Sequence, residues 1–279
     1  MNTIRNLTLV LGGTGKTGRR VVQRLRTSGY PIRVGSRSAN PPFDWQDQET
    51  WSSALHDVDS VYMTYYPDLA VPGAVETVRA FTEQAEASGI KRLVLLSGRG
   101  EEEAQRAEQV LRDSSADWTI LRCSWFSQNF SENFLVESVR GGEVVLPASN
   151  VREPFIDTED IADVAVAALT EDGHAGQLYE LTGPRLLTFA EAIEEIARVT
   201  GRQIRYIEVS TQEYAATLAA EGLPDDFAWL LSYLFTTVLD GRNAYLSDGV
   251  QRALGRSPRD FADYVRETAA SGVWEGVSA

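Results

Sequence analysis

Three glycines near the start of the chain have the spacing of a phosphate-binding turn. Gly12, Gly15 and Gly18 follow an apolar, β-branched run at residues 7–11 and lead into a helical pattern of apolar residues. In such a strand–turn–helix the first glycine permits the sharp turn, the second lets backbone approach a pyrophosphate, and the third lets the helix pack closely on the sheet. The helix N-terminus adds N–H groups and the positive end of a dipole. This stretch predicts a dinucleotide-binding site that also includes Thr14, Lys16 and Thr17.

Two other interpretations of this turn compete with the dinucleotide site. Gly15, Lys16 and Thr17 match the end of a P-loop, which binds nucleoside triphosphates. That motif requires glycine where Val10 stands, inside the strand, so the P-loop interpretation fails at this position. The second alternative is a tight turn that binds no ligand, and the residues downstream argue against it.

The residues after the second predicted strand, at 32–35, bear on the choice of cofactor. An acidic residue at this point would hydrogen-bond the free ribose 2′-hydroxyl of NAD. Ser36 and Arg37 stand there instead. Hydroxyl and guanidinium groups suit a 2′-phosphate, which they bind through charge-assisted hydrogen bonds. The pattern favours NADP(H), and the alternative is that Arg37 is a solvated surface arginine.

Further candidate residues lie where predicted strands end, because the carboxyl ends of parallel strands face the ligand crevice. Asp44 offers an acceptor for the adenine amino group. Thr64 and Tyr65 end one predicted strand, and Ser97 ends the next. These four residues complete the predicted cofactor site.

A mixture of large aromatic side chains and amides between residues 124 and 130 is typical of a pocket wall. Tyr66, beside the nicotinamide half of the cofactor, belongs to the same prediction, although aromatic packing within a loop explains Tyr65 and Tyr66 equally well. The predicted substrate pocket comprises Tyr66, Trp125, Phe126 and Asn129.

The regular alternation of strands and helices predicts an α/β fold with a doubly wound parallel sheet of the Rossmann type. We expect a dinucleotide-binding core over residues 1–150. Residues 151–279 then supply the remaining core elements and a smaller, mostly helical substrate-side lobe, within one integrated unit. Extended segments are predicted at 144–147, 154–157 and 204–209.

Composition narrows the classes of function. A net charge of −14 argues against a nucleic-acid surface, and no apolar run is long enough to span a bilayer. Cys123 is the one cysteine, which excludes an intramolecular disulfide and fits a reducing compartment. With two histidines in the chain, we expect neither a metal site nor a Ser-His-Asp triad. The expected location is the cytoplasm and the expected partner a small molecule, while the oligomeric state stays open.

Taken together, these motifs resemble the NmrA-like, atypical branch of the short-chain dehydrogenase/reductase superfamily. Within that branch they are most similar to the ergot-alkaloid reductase group, the agroclavine-dehydrogenase-like proteins. The resemblance implies NADPH-dependent reduction of a cyclic iminium in secondary metabolism. The matching stretches are residues 12–18, 36–37, 43–45, 95–97, 119–122, 125–126, 129–130, 154–156, 160–162, 254–256 and 272–274.

One feature of the wider superfamily is missing. Typical members use Tyr-x-x-x-Lys as a proton donor, but neither Lys16 nor Lys91 has a tyrosine four residues before it, and the chain has no third lysine. Glu102 and Arg106 have that spacing instead, and an arginine stays protonated. The sequence therefore favours reduction of an iminium, which needs no proton at the hydride step, over an enone or quinone. The alternative, from a different class, is a non-catalytic NADP(H)-sensing regulatory protein.

Overall fold

A parallel β-sheet is the main element of the computed structural model, which describes residues 7–132, 134–148, 150–220 and 225–275. Within these residues the strands are β1 (Thr8–Leu11), β2 (Ile32–Gly35), β3 (Ser60–Met63), β4 (Arg92–Gly98), β5 (Asp117–Cys123), β6 (Glu143–Leu146), β7 (Arg152–Glu153), β8 (Gln177–Leu181), β9 (Leu187–Thr188) and β10 (Arg205–Glu208). The helices are α1 (Gly18–Thr27), α2 (Glu49–Leu55), α3 (Ala74–Ala87), α4 (Glu102–Arg112), α5 (Asn129–Glu132), α6 (Val136–Gly141), α7 (Thr158–Thr170), α8 (Phe189–Thr200), α9 (Thr211–Ala220), α10 (Asp225–Tyr233), α11 (Gly249–Leu254) and α12 (Phe261–Ala270). A π-helical segment, Leu234–Val238, follows α10.

The main sheet has the strand order β2-β1-β3-β4-β5-β8, and every neighbouring pair in it is parallel. Val10 of β1 pairs with Val34 on one side and with Tyr62 on the other, so the winding reverses direction between β1 and β3. Ligands of doubly wound sheets bind at such a reversal, outside the carboxyl ends of the strands. The predicted Rossmann-type α/β fold is confirmed.

Helices cover the sheet through apolar faces at helical spacing. Val21, Val22 and Leu25 of α1 are buried, as the sequence pattern predicts. The helix α1 packs against α7, and α3 packs against α4. Arg24 of α1 lies 2.6 Å from carboxylate oxygens of both Glu159 and Asp163 of α7. Apolar burial and this paired charge hold the glycine turn at the start of α1 in place.

The chain divides into two compact units that alternate along the sequence. The first unit comprises Met1–Cys123, Thr158–Leu181 and Asp248–Arg256. The second comprises Ser124–Asp157, Thr182–Ser247 and Ser257–Ala279. Each unit contains residues from both sides of residue 150. In the first unit this is because β8, late in the chain, joins the main sheet and pairs with β5.

The second unit has little sheet and an aromatic core. The parallel pair β6–β10 fits the extended segments predicted near residues 144–147 and 204–209. At residues 154–157 the predicted extended segment forms no strand; an isolated bridge joins Ile156 to Phe126. The core includes Phe130, Phe155 and Phe189, with neighbouring ring centroids 5.1 to 6.1 Å apart.

In the part of the chain that the structure describes, no helix combines the length and apolar composition needed to cross a bilayer.

Candidate functional site

The glycine turn joins β1 to α1 at the reversal point of the sheet. Gly12 has a φ of +60°, and a Cβ built on it would lie 2.3 Å from Oγ1 of Thr64. A Cβ on Gly18 would lie 2.2 Å from the carbonyl oxygen of Gly12. Both positions therefore require glycine for the turn itself, whether or not a ligand binds.

Gly15 differs from these two glycines. It is exposed, and the one atom that its Cβ would approach is the carbonyl oxygen of Gly12, at 3.2 Å. The N–H of Gly15 donates to that same oxygen over 2.8 Å. Glycine at this position leaves open the space beside the N-terminus of α1 that a pyrophosphate would occupy. The turn therefore fits a dinucleotide.

The remaining side chains of the turn lie at different depths. Thr14 is exposed, Lys16 is half-buried and Thr17 is buried. The carbonyl oxygen of Lys16 accepts a 2.8 Å hydrogen bond from Arg20, which also forms an ion pair with Glu159 of α7. Of the three side chains, Thr14 and Lys16 retain access to a bound phosphate.

The segment after β2 presents the side chains predicted to bind a 2′-phosphate. The Ser36 and Ser38 hydroxyl oxygens are 3.4 Å apart, and Arg37 is exposed. Across the described residues, the Arg37 guanidinium makes no hydrogen bond or ion pair. None of the described contacts of Arg37 involves a carboxylate, so the guanidinium group is available to bind an anion.

An aromatic cluster supports the loop residues that follow β2 and β3. Trp45 donates a 2.9 Å hydrogen bond to the carbonyl oxygen of Thr64, and its ring centroid lies 5.0 Å from that of Tyr65. Oδ1 of Asp44 accepts a 3.0 Å bond from the Gln46 N–H. Tyr65 thus packs on Trp45, which favours the structural interpretation of this tyrosine.

Tyr66 is an exposed aromatic residue of the first unit, with 75% of its surface accessible. It follows Tyr65 directly, yet the aromatic cluster does not hold it. Its phenol is accessible to a small molecule, as the pocket prediction requires.

Ser97 belongs to a buried charge network at the carboxyl edge of the sheet. Its hydroxyl donates a 2.7 Å hydrogen bond to Glu108 of α4, which also binds Arg122 of β5. Nη1 of Arg122 lies 3.2 Å from Glu180 of β8. The hydrogen bond to Glu108 is the main cause that raises the pKa of Arg122 above its ordinary value. The Ser97 hydroxyl is therefore committed to the protein and is not a ready proton donor.

Sequence reasoning missed this charge network, which consists of Arg99, Glu108, Arg122 and Glu180. A signal was present in α4, because Glu108 shares its buried face with Ala104, Ala107 and Leu111. An acidic residue on an apolar helix face needs a buried partner. The partner itself follows from strand register, which aligns Ser97 with Arg122.

The other predicted pocket residues belong to the second unit. Trp125 packs against Phe189 and Phe235, with ring centroids 5.3 and 5.1 Å away. Phe126 and Asn129 are half-buried, and Asn129 begins α5. Trp125 therefore packs against the aromatic core, and all three side chains stay partly accessible.

Neither a metal centre nor the Tyr-x-x-x-Lys pair is found in the described ranges. No group of three His, Cys, Asp or Glu side chains there is placed to hold a metal ion. Arg106 and Glu102, which have the spacing of the missing pair, form an exposed 3.9 Å ion pair on α4. Arg106 is thus a surface charge.

Comparison with known proteins gives the family. A model of an NAD(P)H-binding family matches residues 12–172. The chain is 31% identical to prestalk A differentiation protein A of Dictyostelium discoideum, over 93% of this chain and 91% of that protein. It is 34% identical to agroclavine dehydrogenase of Claviceps fusiformis, over 95% and 98%.

A solved structure shares the fold. The NADPH-dependent quinone oxidoreductase QOR2 of Escherichia coli, complexed with NADPH, superposes with a TM-score of 0.79 at 23% identity. The match covers 93% of this chain and 99% of that one. The resemblance inferred from the motifs is confirmed, and the chain belongs to the NAD(P)H-binding, NmrA-like family of oxidoreductases.

Proposed function

We propose that this protein is an NADPH-dependent reductase that transfers hydride to an activated small-molecule electrophile, with a preformed iminium or imine favoured over an enone or quinone. The observation that carries the proposal is a glycine turn with room for a phosphate, in a chain that lacks the usual proton donor. Gly15 leaves room for a pyrophosphate and Arg37 is free of described protein partners. Neither lysine of the chain has a tyrosine four residues before it.

The missing donor limits which acceptors react readily. Reduction of a ketone creates an alkoxide, which requires a proton or an oxyanion stabiliser. Reduction of an iminium creates a neutral amine and requires neither at the hydride step. Bound NADPH supplies the hydride, so the protein has to orient the acceptor and exclude water. The agroclavine dehydrogenase relative supports an acceptor of the iminium type, and a role in secondary metabolism is part of the proposal.

Each candidate residue has a defined role in this proposal. The turn at residues 12–18 holds the pyrophosphate, Ser36 and Arg37 hold the 2′-phosphate, and Asp44 meets the adenine. Thr64, Tyr65 and Ser97 form the floor of the site on the nicotinamide side. The proposed acceptor-binding residues are Tyr66 of the first unit and, in the second unit, Trp125, Phe126 and Asn129.

The proposed ligands are NADP(H) and a small molecule, and neither a nucleic acid nor a membrane is a proposed partner. In this proposal the reaction takes place in the cytoplasm, which fits a buried Cys123 thiol. Burial raises the pKa of this thiol far above its ordinary value. A thiol of this kind stays protonated and inert.

A panel of iminium, enone, quinone and ketone acceptors tests the proposal. We expect NADPH absorbance to fall fastest with a cyclic iminium and slowest with a simple ketone of similar size, relative to enzyme-free controls. Phe126→Ala should raise the KM for the acceptor while leaving the NADPH dissociation constant unchanged. Trp125→Ala should do the same, but thermal unfolding has to be measured beside it because Trp125 packs in the aromatic core. Tight NADPH binding without turnover of any acceptor would instead favour a cofactor-sensing regulator.

A further inference from the structure

Two carboxyl groups of the first unit meet at the carboxyl edge of the sheet. Asp68 lies in the loop after β3, and Glu101 lies between β4 and α4. Because β3 and β4 are parallel neighbours, these loops emerge side by side. The glycine turn follows β1, the neighbour of β3 on its other side, so it lies at the same edge. The carboxyl pair is therefore near the end of the sheet where the cofactor is proposed to bind.

Glu101 has an unusual orientation for the residue that precedes a helix. It is the N-cap of α4, yet its side chain makes no capping hydrogen bond. The side chain instead lies over Gly98, where a Cβ would be 2.1 Å from Oε1 of Glu101. Glu101 is 6% exposed, and its Oε2 is buried without a hydrogen-bond partner among the described atoms. A buried polar atom of this kind needs a hydrogen-bond partner, so the Glu101 side chain has to carry a proton or meet a donor.

Asp68 keeps Glu101 in its neutral form. Oδ1 of Asp68 accepts a 2.8 Å hydrogen bond from the Ala70 N–H, and its carboxyl group also hydrogen-bonds Glu101. Burial raises the pKa of Glu101 well above its ordinary value, and the charge of Asp68 raises it further. The other charged groups that face Glu101 are Glu103 and Glu108 of α4, and both act in the same direction. A buried carboxyl group that hydrogen-bonds a half-buried one shares a proton with it.

We propose that Glu101, beside Asp68, is the acid that protonates the acceptor when hydride transfer leaves a negative charge on it. This inference rests on the proposed reductase function, and it extends that function from iminium ions to enones and quinones. Glu101 is the residue that meets the acceptor, and Asp68 is a positioning residue that holds the proton on Glu101.

The proposed step balances as follows for an enone. The hydride forms a C–H bond at the β-carbon, and the π electrons move onto the carbonyl oxygen. The Glu101 O–H bond then breaks, and its proton joins that oxygen to give the enol. NADPH is oxidised to NADP⁺ by two electrons, and the enone is reduced by two. Glu101 is left as a carboxylate and regains a proton from water.

The test compares two acceptors in Glu101→Gln, with Glu102→Gln as the control. Glu102 lies next in the chain and undergoes the same carboxyl-to-amide change, but its side chain is exposed. We expect Glu101→Gln to lower the ratio of enone to iminium turnover by about 10²- to 10⁴-fold, the usual contribution of a general acid. Glu102→Gln should leave the ratio unchanged. An unchanged ratio in Glu101→Gln would overturn the inference.

Asp68→Asn supplies a second test that does not remove the acid. In the unmodified protein, enone turnover should fall as pH rises through the pKa of Glu101, because the acid is then lost. Without the Asp68 charge this limb should move to lower pH. The limb should be weak or missing with the iminium. A limb that stays at the same pH in Asp68→Asn would contradict the assignment of Asp68.

An infrared measurement separates the inference from the proposed function. At neutral pH the unmodified protein should show the C=O stretch of a protonated carboxyl group, and Glu101→Gln should lack it. If the band is missing from the unmodified protein, the inference fails while iminium reduction still supports the reductase. If the band is present but no acceptor is turned over, the reductase function fails and the protonation step fails with it.

Discussion

The glycine turn and the buried charge network stand at the same edge of the sheet but are built in opposite ways. The proposed site between Gly12 and Gly18 depends on backbone, and the space beside Gly15 is open because glycine has no side chain. The network around Glu108 is made of charged side chains from α4, β5 and β8, far apart in sequence. The residues of the proposed ligand site are neighbours in sequence, whereas those of the charge network come together only when the chain folds. Mutations should therefore affect binding at the turn and stability at the network.

The largest expected effect is a loss of stability on removing Glu108. Glu108→Ala leaves Arg122 and the Ser97 hydroxyl without their buried partner. Breaking one member of a buried ion pair costs about 3–5 kcal/mol of unfolding free energy. Denaturant unfolding measures this loss, and Glu102→Ala on the exposed face of the same helix serves as the control. A loss below about 1 kcal/mol, as for an exposed pair, would show that the network adds little to stability.

The second-largest expected effect is on cofactor binding rather than on stability. Gly15→Val should weaken NADPH binding by more than about a hundredfold, about 2.7 kcal/mol, with little change in thermal unfolding. The Gly15 position is exposed, so the added side chain fills the phosphate space rather than the protein interior. Titration with NADPH and a melting curve measure both quantities.

Gly18→Ala is the matched variant for that experiment. Its Cβ would meet the Gly12 carbonyl oxygen at 2.2 Å, so this change should lower the melting temperature. Undiminished NADPH binding by Gly15→Val would show that the turn is not the phosphate site.

The smallest effect concerns the choice between cofactors. Arg37→Ala should weaken NADPH binding by roughly ten- to a hundredfold while leaving NADH binding unchanged, because a charge-assisted hydrogen bond contributes about 1.5–3 kcal/mol. Arg26→Ala, which removes an exposed arginine from α1, is the control for the loss of positive charge. Equal affinities of the unmodified protein for NADPH and NADH would contradict a 2′-phosphate site at Arg37.

Much of the first unit could be predicted because its signals are local. The glycine spacing at residues 12–18, the apolar face of α1 and the alternation of strands and helices each act over a few turns of chain. The structure shows Arg37 exposed after the second strand, and its contact with the cofactor 2′-phosphate stays a prediction. These features made the fold, the family and the cofactor class accessible from the sequence.

The rest depended on contacts between distant residues. The position of Ser97 at the end of β4 predicts a hydroxyl that contacts the cofactor. In the structure this hydroxyl donates a hydrogen bond to Glu108. Tyr65 packs on Trp45, twenty positions earlier in the chain, whereas Tyr66 stays exposed. Periodicity shows which side of an element is buried but not which side chain fills the space opposite, so these assignments required the tertiary structure.

The sequence by itself determined the strand–turn–helix at residues 12–18, because glycine's missing side chain is a property of the residue and the spacing is local. It also determined that the Tyr-x-x-x-Lys pair is missing, since the chain has two lysines. Only the tertiary structure decided that the buried Glu101 meets Asp68, thirty-odd positions earlier in the chain. That juxtaposition arises from the parallel pairing of β3 with β4, which brings their following loops together while burial removes the water that would otherwise keep both carboxyl groups ionised.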